Sequence, residues 1–273
     1  MFDTTIRHCL HFQLSAFDRR AAVNVKHIEK GIYVLSDIHG QKRRFDSILK
    51  QIDLQPEDTL YVLGDVIDRN PDGVKIIRQL MAMPNAKMIL GNHERMMLDA
   101  VYDPHGSSEA DLEYRQQRID LWYRNGGEVT HNYLKRIRKS LRAEIFEYLN
   151  KLPLNEEVVV NGSRFTLVHA APAKLFEKYR SFTKYTTEKA FALWYRFNEH
   201  DVYPCQETVV FGHTKTSRFQ QEEPLRIWHG PGLICVDCGS SCPEWDDVSS
   251  TQKGRLACLR LNDMKEFYSE ERA

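Results

Sequence analysis

Aspartate, histidine and asparagine side chains recur directly after short apolar segments in the first third of the chain. Three such segments run into SDIHG at residues 36–40, GDVIDR at 64–69 and GNHE at 91–94. Two further histidines, His169 and His213, follow later segments of the same kind. Mixed nitrogen and oxygen donors suit Mn²⁺, Fe or Zn²⁺ better than Mg²⁺ or Ca²⁺, which favour all-oxygen sites.

The number of potential ligands exceeds what one cation needs. Two ions that share a bridging carboxylate account for the set most simply. Two metals about 3.5–4 Å apart can clamp a phosphoryl group and generate a hydroxide between them. The motifs therefore predict a dinuclear metal site whose chemistry would suit a phosphoryl group.

Alternating strands and helices must bring these motifs together. Strands are predicted at residues 31–35, 59–63 and 87–90, and helices at 41–52, 72–83 and 93–101. This order implies parallel strands joined by right-handed crossovers. Because ligand sites of open α/β sheets lie at the carboxyl ends of strands, the three motifs should meet at one edge.

The second half of the chain is predicted to be richer in strands. Residues 105–152 read as a helical cap insertion, and Asn161-Gly162 predicts a hairpin turn. A helix is predicted at 187–197, with strands at 157–160, 164–168, 208–211, 225–228, 233–236 and 256–261, mainly antiparallel. The expected fold is α/β, with two packed mixed β-sheets flanked by helices. Residues 1–30 would form an N-terminal extension, and residues 31–273 a single domain containing the insertion.

Composition excludes several classes of protein. The 273 residues include 38 Lys and Arg and 38 Asp and Glu, which argues against a polycation that binds nucleic acid by bulk charge. No apolar run approaches the length of a membrane span, and the first residues lack a signal-peptide core. We therefore expect a cytoplasmic protein with neither a nucleic-acid nor a membrane partner. The sequence does not indicate an oligomeric state.

The ordered motifs resemble the calcineurin-like metallophosphoesterase superfamily, whose signature is GDxHG, GDxxDRG, GNHE, a later histidine and GHT. The chain is most similar to the phosphoprotein-phosphatase type, especially the compact bacterial and phage serine/threonine phosphatases. The resemblance covers roughly residues 31–262. It extends to GNHERMML, to Asn125-Gly126-Gly127, to LWYR around Arg196 and to VDCG at 236–239.

The resemblance implies a ligand set for two divalent ions, with Mn²⁺ as the first choice and Fe or Zn²⁺ as alternatives. Asp65 would bridge the two ions. The remaining ligands would be Asp37 and His39 at the first metal and Asn92, His169 and His213 at the second.

The resemblance also implies four residues that act on the substrate. His93 would protonate the leaving oxygen, with Asp68 orienting its ring. Arg69 and Arg196 would grip phosphate oxygens, which the guanidinium fork matches.

Three positions depart from the superfamily pattern, because Ser36, Asn70 and Ala171 replace its usual glycines. Asn70 is expected to keep the left-handed turn of the missing glycine, since asparagine tolerates that backbone conformation. None of the three changes removes a predicted ligand, so they bear on subfamily and substrate.

The motifs leave the substrate open. The first hypothesis is a phosphatase that hydrolyses phosphomonoesters by attack of a metal-bridged hydroxide, with phosphoserine or phosphothreonine proteins or small phosphoesters as partners. An alternative is a hydrolase of dinucleoside polyphosphates such as diadenosine tetraphosphate. An alternative of another class is a non-catalytic phosphate-binding scaffold. Cys235, Cys238 and Cys242 could bind a metal, but thiols of the core or a loop are the preferred interpretation.

Overall fold

A computed structural model describes residues 30–102, 110–201, 203, 206–223, 225–241 and 254–270. Nearly all of the expected N-terminal extension, and Cys242, lie outside the described residues. The division into an extension, a domain and an insertion therefore stays a prediction.

The first sheet gathers strands from both ends of the described chain, in the order β10-β9-β1-β2-β3. Its strands are β1 (Ile32–Leu35), β2 (Thr59–Val62), β3 (Ala86–Met88), β9 (Ala257–Arg260) and β10 (Lys265–Tyr268). The strands β1, β2 and β3 are parallel, as predicted. Strand β9 pairs antiparallel with β1, and β10 pairs antiparallel with β9. The predicted crossover helices are α1 (Lys42–Ile52), α2 (Gly73–Ala82) and α3 (Asn92–Val101).

Three helices follow α3 within the range predicted to be helical. They are α4 (Ala110–Arg124), α5 (Glu128–Arg136) and α6 (Lys139–Asn150). Helices α4 and α5 are joined by Asn125-Gly126-Gly127, where Gly126 has a φ of 92°. None of the helices in the described part of the chain is long and apolar enough to cross a membrane.

The second sheet has the order β4-β5-β6-β8-β7. Its strands are β4 (Asn155–Val160), β5 (Ser163–Val168), β6 (Glu207–Phe211), β7 (Trp228–Gly230) and β8 (Leu233–Cys235). The hairpin at Asn161-Gly162 forms as predicted, with φ angles of 50° and 80°. The expectation of mainly antiparallel pairing is wrong for the centre of the sheet, because β6 is parallel to both β5 and β8.

Two short helices cover the region between β5 and β6, namely α7 (Phe176–Tyr179) and α8 (Glu188–Trp194). The predicted helix over 187–197 is shorter because Tyr195 is extended, with ψ of 143°. The Thr187 hydroxyl caps its start by accepting the Ala190 N–H at 3.1 Å. The predicted strand at 225–228 also shifts, because β7 is set by antiparallel pairing with β8 across Gly232, whose φ is 73°.

Apolar side chains fill three layers around the two sheets. Val34 and Leu63 of the first sheet meet Leu167 and Val210 of the second in a buried cluster. A second cluster packs the other face of the first sheet against α1 to α3 and the cap helices. A third packs the other face of the second sheet against α8 and its neighbours. The expected fold class, two packed mixed sheets flanked by helices, is confirmed.

Candidate metal centre

The loops after the strands hold functional side chains on unusual backbone. Six site residues have left-handed φ angles between 47° and 71°: Asp37, His39, Asp65, Asp68, Arg69 and His213. This backbone conformation costs roughly 1–3 kcal/mol at each residue other than glycine, and it persists only where the surrounding structure enforces it. Hydrogen bonds between the loops do so, because the Asp37 and His39 N–H groups donate to the Gly64 and Asp65 carbonyls.

The prediction for Asn70 is wrong. Left-handed backbone falls on Asp68 and Arg69, whereas Asn70 is not among the positive-φ residues. The Asn70 side-chain amide instead donates to the His39 carbonyl at 2.9 Å, so it ties the first loop to the second. Within the turn, the Asn70 N–H donates to the Asp68 carbonyl at 2.7 Å.

Glu94, in the first turn of α3, is a site-building residue that the sequence analysis did not single out. Its carboxylate is fully buried and accepts the backbone N–H groups of Asp65, Val66 and Ile67 at 2.9, 2.8 and 3.2 Å. Gly91 makes room for it, because a Cβ there would lie 2.5 Å from Glu94 and 2.3 Å from the Asp65 nitrogen. Glu94 therefore fixes the loop that carries Asp65.

Asp65 lies between two groups of histidines. Its Oδ2 atom is 3.7 Å from His39 Nε2, and its Oδ1 atom is 3.5 Å from His169 Nε2. The two carboxylate oxygens thus face different rings. Donor atoms of His39, Asp65 and His93 form one group within 4.8 Å, and those of Asp65, His169 and His213 form another. Asp65 is common to both groups, as a bridging ligand requires.

Backbone carbonyls orient two of the histidine rings by hydrogen bonds to their Nδ1 atoms. His39 Nδ1 lies 3.0 Å from the Ile67 oxygen, and His169 Nδ1 lies 2.7 Å from the Leu63 oxygen. A carbonyl accepts only from a protonated nitrogen, so in a neutral ring Nε2 carries the lone pair. Hydrogen bonds of this kind orient metal-binding histidines in general.

The remaining donors test whether a cation fits. His169 Nε2 lies 2.8 Å from Asn92 Oδ1, so in the neutral ring two lone-pair atoms face each other and need a proton or cation between them. His213 Nε2 is buried and has no hydrogen-bond partner among the described residues. Asp37 Oδ1 lies 3.7 Å from His39 Nε2. Two donor atoms that each lie about 2.1 Å from a shared ion are separated by distances similar to those measured between these pairs of atoms. The residues therefore fit divalent metals.

His93 has a different environment from the other rings. Its Nδ1 atom lies 2.7 Å from Asp68 Oδ2, and its Nε2 atom lies 3.2 Å from Arg69 Nη2. The Trp122 indole N–H donates to the same Asp68 oxygen at 2.8 Å. A guanidinium beside Nε2 disfavours a second cation there, so His93 is better placed to exchange a proton than to bind a metal.

A cleft of about 260 Å³ opens over these residues. It is lined by Asp37, Asp65, Arg69, Asn92, His93, Asn125, Trp194, Arg196, His213, Thr214, Lys215, Arg218 and Asp237. Seven of the predicted site residues are among them. Of the other three, His39 and His169 lie against Asp65, and Asp68 lies behind His93. The structure therefore brings all of the predicted residues to one place.

Comparison with known proteins gives this arrangement a family. Residues 31–237 match the family described as Calcineurin-like phosphoesterase, and that range contains every residue of the predicted site. The chain belongs to this family. Two solved structures agree in fold, a metallophosphoesterase from Sphaerobacter thermophilus (14% identity, TM-score 0.50, 89% of each chain) and a candidate diadenosine tetraphosphatase (17%, 0.52, 90% of this chain and 96% of that one).

Curated relatives of this phosphoesterase include two activities. The symmetrical bis(5'-nucleosyl)-tetraphosphatase of Erwinia tasmaniensis is 32% identical over 106 residues, which cover 38% of this chain and 37% of the relative. Serine/threonine-protein phosphatase 2 of Escherichia coli is 28% identical over 156 residues, which cover 56% of this chain and 63% of the relative. The chain spans less than two thirds of the length of each.

Buried carboxylates in the phosphoesterase site repel one another. Burial raises the pKa of Asp37 well above its usual value, and the nearby charges of Asp237 and Asp65 raise it further. Burial and the Glu94 charge likewise raise the pKa of Asp65. Asp237 lines the cleft and was not predicted as a site residue, although VDCG contains it. Carboxyl groups gathered in this way are stabilised as anions by a bound cation.

Two arginines present part of their guanidinium groups to the cleft. Arg69 donates to Ser241 Oγ at 2.7 Å, and its backbone N–H donates to the Gly126 carbonyl at 3.0 Å. Arg196 donates to the His213 carbonyl at 2.7 Å. A Cβ on Gly126 would lie 2.9 Å from Arg69 Cγ, so the cap turn needs glycine where it passes the arginine.

Two other sequence features have definite places in the phosphoesterase. Ser36, which stands where the superfamily pattern has glycine, donates its hydroxyl to Asp37 Oδ2 at 2.5 Å. The change thus adds a hydrogen bond to a predicted ligand.

Cys235 and Cys238 are buried thiols, and Cys235 donates to the Thr214 carbonyl at 3.0 Å.

Proposed function

We propose that this phosphoesterase hydrolyses phosphate esters at a dinuclear metal site. The observation that carries the proposal is the carboxylate of Asp65, whose two oxygens face separate groups of histidine nitrogens at the floor of the cleft. Asp37 and His39 would complete one metal site. Asn92, His169 and His213 would complete the other. Bound there, divalent ions would polarise phosphoryl oxygens and lower the pKa of water.

The protein side chains supply binding and proton transfer. Arg69 and Arg196 bind the phosphoryl oxygens and stabilise the charge that develops on them. His93 gives a proton to the leaving oxygen, and Asp68 holds its ring in position. Burial and the Arg69 charge lower the pKa of His93, so the ring is neutral in the empty cleft. A bound phosphate dianion opposes the arginine charge and favours the protonated ring.

Mn²⁺ is the first metal to test, with Fe and Zn²⁺ next. The donor set combines imidazole nitrogens with carboxylate and amide oxygens, which all three accept. The non-catalytic scaffold loses support, because every predicted ligand and the His93–Asp68 pair lie at the cleft or directly against its lining residues.

Small phosphoesters stay a possible substrate, and two further classes have support from the comparisons. Phosphoserine and phosphothreonine proteins follow from the phosphoprotein-phosphatase motifs and from the similarity to the Escherichia coli phosphatase. Dinucleoside polyphosphates follow from the similarity to the tetraphosphatases. Trp194 at the cleft favours the dinucleoside polyphosphates, because a nucleotide base can stack on an aromatic ring. Lys215 and Arg218 favour them too, because linked phosphates carry several negative charges.

A competition panel tests the proposal. The full chain, loaded with Mn²⁺, is assayed by kcat/KM on p-nitrophenyl phosphate, phosphoserine and phosphothreonine peptides, and diadenosine tetraphosphate. We expect turnover of at least one class, with its loss in Asp65→Asn and His93→Ala. Turnover that is unchanged in both variants would overturn the proposed site.

A further inference from the structure

Two cations in the cleft have no task in the hydrolysis of a single phosphoryl group. Lys215 and Arg218 lie just after His213, where Thr216–Arg218 forms a single 3₁₀ turn. Both side chains are exposed. Under the proposed function, Arg69 and Arg196 already bind the reacting phosphoryl group, so Lys215 and Arg218 are cations of the cleft that this group does not engage.

The backbone of this turn is anchored although its charged side chains are exposed. Thr216 is fully buried, and its N–H donates to the Asp237 carbonyl at 2.9 Å. The Arg218 N–H donates to the Lys215 carbonyl at 3.0 Å. Immediately after the turn, Phe219 stacks on Trp228 with ring centroids 4.5 Å apart. Lys215 and Arg218 are therefore held beside the cleft by a fixed backbone.

Neither side chain is held by a hydrogen bond within the described residues, although the charge of Lys215 opposes the rise that burial causes in the pKa of Asp237. In the described part of the chain, Lys215 and Arg218 form no side-chain hydrogen bond or ion pair with another residue. Both donor groups of the turn are thus available to a ligand.

We propose that Lys215 and Arg218 form a second anion subsite, which binds the phosphate next to the one being hydrolysed. The substrate class is then a phosphoanhydride, a chain of two or more linked phosphates. A phosphomonoester has only one phosphate, which Arg69 and Arg196 engage, whereas a second phosphate brings charge that matches the two additional cations. The inference rests on the proposed function and narrows its substrate.

The reaction balances without a further reactant. A water oxygen forms a bond to the attacked phosphorus, and the bond from that phosphorus to the bridging oxygen breaks. The leaving phosphate keeps the bridging oxygen and its electron pair, and the water proton passes to that phosphate or to solvent. Lys215 and Arg218 would neutralise the leaving phosphate. The leaving group then depends less on His93 than the alkoxide of a serine ester does.

The test compares substrates with one phosphate and with several. The full Mn²⁺-loaded chain and the K215Q/R218Q double variant are assayed on diadenosine tetraphosphate and p-nitrophenyl phosphate. We expect kcat/KM for the tetraphosphate to fall about 100-fold in the double variant, mainly through KM, and to change less than about threefold for the monoester. Arg78→Gln is the matched control, because Arg78 is exposed on α2 and does not line the cleft.

A binding measurement separates this inference from the proposed function. Calorimetry on the Mn²⁺-loaded chain compares orthophosphate with methylenediphosphonate, which the enzyme cannot hydrolyse. We expect tighter binding of methylenediphosphonate in the wild type, and loss of that preference in the double variant. No turnover of these two substrates or of the phosphopeptides would defeat the proposed function, while calorimetry would still decide the subsite.

Four outcomes overturn the subsite. Three are equal losses on both substrates, no loss on either, and an unchanged preference for methylenediphosphonate in the double variant. The fourth comes from assaying the double variant on acidic phosphopeptides as well: a selective loss there, with the tetraphosphate unaffected, would indicate a protein substrate.

Discussion

At the scale of single side chains, the site joins two kinds of buried acid–base group. The carboxylates of Asp37 and Asp65 have raised pKa values, chiefly because they are buried. Burial and neighbouring positive charges lower the pKa values of His39 and His213. Divalent metals bind neutral imidazole rings and ionised carboxylates. The lowered pKa values of the histidines favour neutral rings, and a bound cation would stabilise the ionised form of the carboxylates.

Asp68 gives a pH-dependent prediction for stability. Burial raises its pKa from 3.8 to about 7, so the folded protein retains a proton that the unfolded chain releases above pH 4. Asp68 therefore lowers stability progressively as the pH rises from about 4 to 7. In Asp68→Asn this loss is absent.

The expected result is a difference between variant and wild type that depends on pH. The free energy of unfolding of metal-free Asp68→Asn should rise relative to wild type between pH 5 and pH 8, and level off at the upper end. Urea denaturation at several pH values measures it. Contributions from histidines that do not contact Asp68 cancel in the comparison, whereas that of His93, which is hydrogen-bonded to Asp68, does not. A difference that is constant or falls with pH would contradict the raised pKa.

Trp122 gives a prediction for catalysis, because its indole N–H holds the carboxylate that orients His93. Trp122→Phe should lower kcat about tenfold and shift the pH profile of kcat, while KM changes little. Tyr123→Phe is the control, since it removes the neighbouring Tyr123–His131 hydrogen bond and leaves Asp68 untouched. Equal effects of both substitutions would indicate only loosened packing of the cap.

The ordered motifs identify the potential metal ligands and the His93–Asp68 pair without a structure, because their residue types and positions after strands carry the signal. Glu94, Asp237 and Trp122 escape such reasoning. Each acts through a hydrogen bond or a charge on a residue distant in sequence, such as the 54 positions between Trp122 and Asp68. The acidic residue inside GNHE was a signal for Glu94, but its direction toward the Asp65 loop is a property of the folded chain.

At the scale of elements, the turn between α4 and α5 connects the cap to the cleft. Gly126→Ala should destabilise the protein by about 1 kcal/mol through its positive φ and also displace Arg69, lowering kcat/KM about tenfold or more. Gly162→Ala is the matched control, because Gly162 also has a positive φ but no atom lies within 4 Å of its added Cβ. Urea denaturation and kcat/KM are measured for both variants.

The two glycine substitutions separate backbone strain from contact with the site. Both should lose similar stability, but only Gly126→Ala should lose activity. Equal kcat/KM values for the two variants would show that the cap turn does not position Arg69.

Elements with strong local signals are predictable from this sequence, and those set by pairing are less so. The parallel strands β1 to β3 and the Asn161-Gly162 hairpin match their apolar and turn patterns. Strand β10 was not predicted, because the sequence KEFY is short and half polar and is stabilised by pairing with β9. The parallel pairing of β5 with β6 depends on the crossover between them, which local patterns do not specify.

At the scale of the whole molecule, two sheets packed face to face bring distant segments to one edge. The first sheet contributes the loops that carry Asp37, Asp65 and Asn92, and the second contributes those of His169 and His213. The donor atoms meet only if both sheets fold and pack. Metal binding should therefore stabilise the packed arrangement of the sheets as well as the individual loops.

The central claim is that turnover requires divalent metal held by Asp65, and one titration tests this claim most directly. Hydrolysis of p-nitrophenyl phosphate is followed while Mn²⁺ is added to chelator-treated wild type and Asp65→Asn, both shown to be folded by circular dichroism. We predict no turnover before Mn²⁺ is added, full recovery in the wild type, and at least about 1,000-fold lower kcat in Asp65→Asn at saturating Mn²⁺. Equal turnover by the two proteins, or undiminished turnover in excess chelator, would contradict the account.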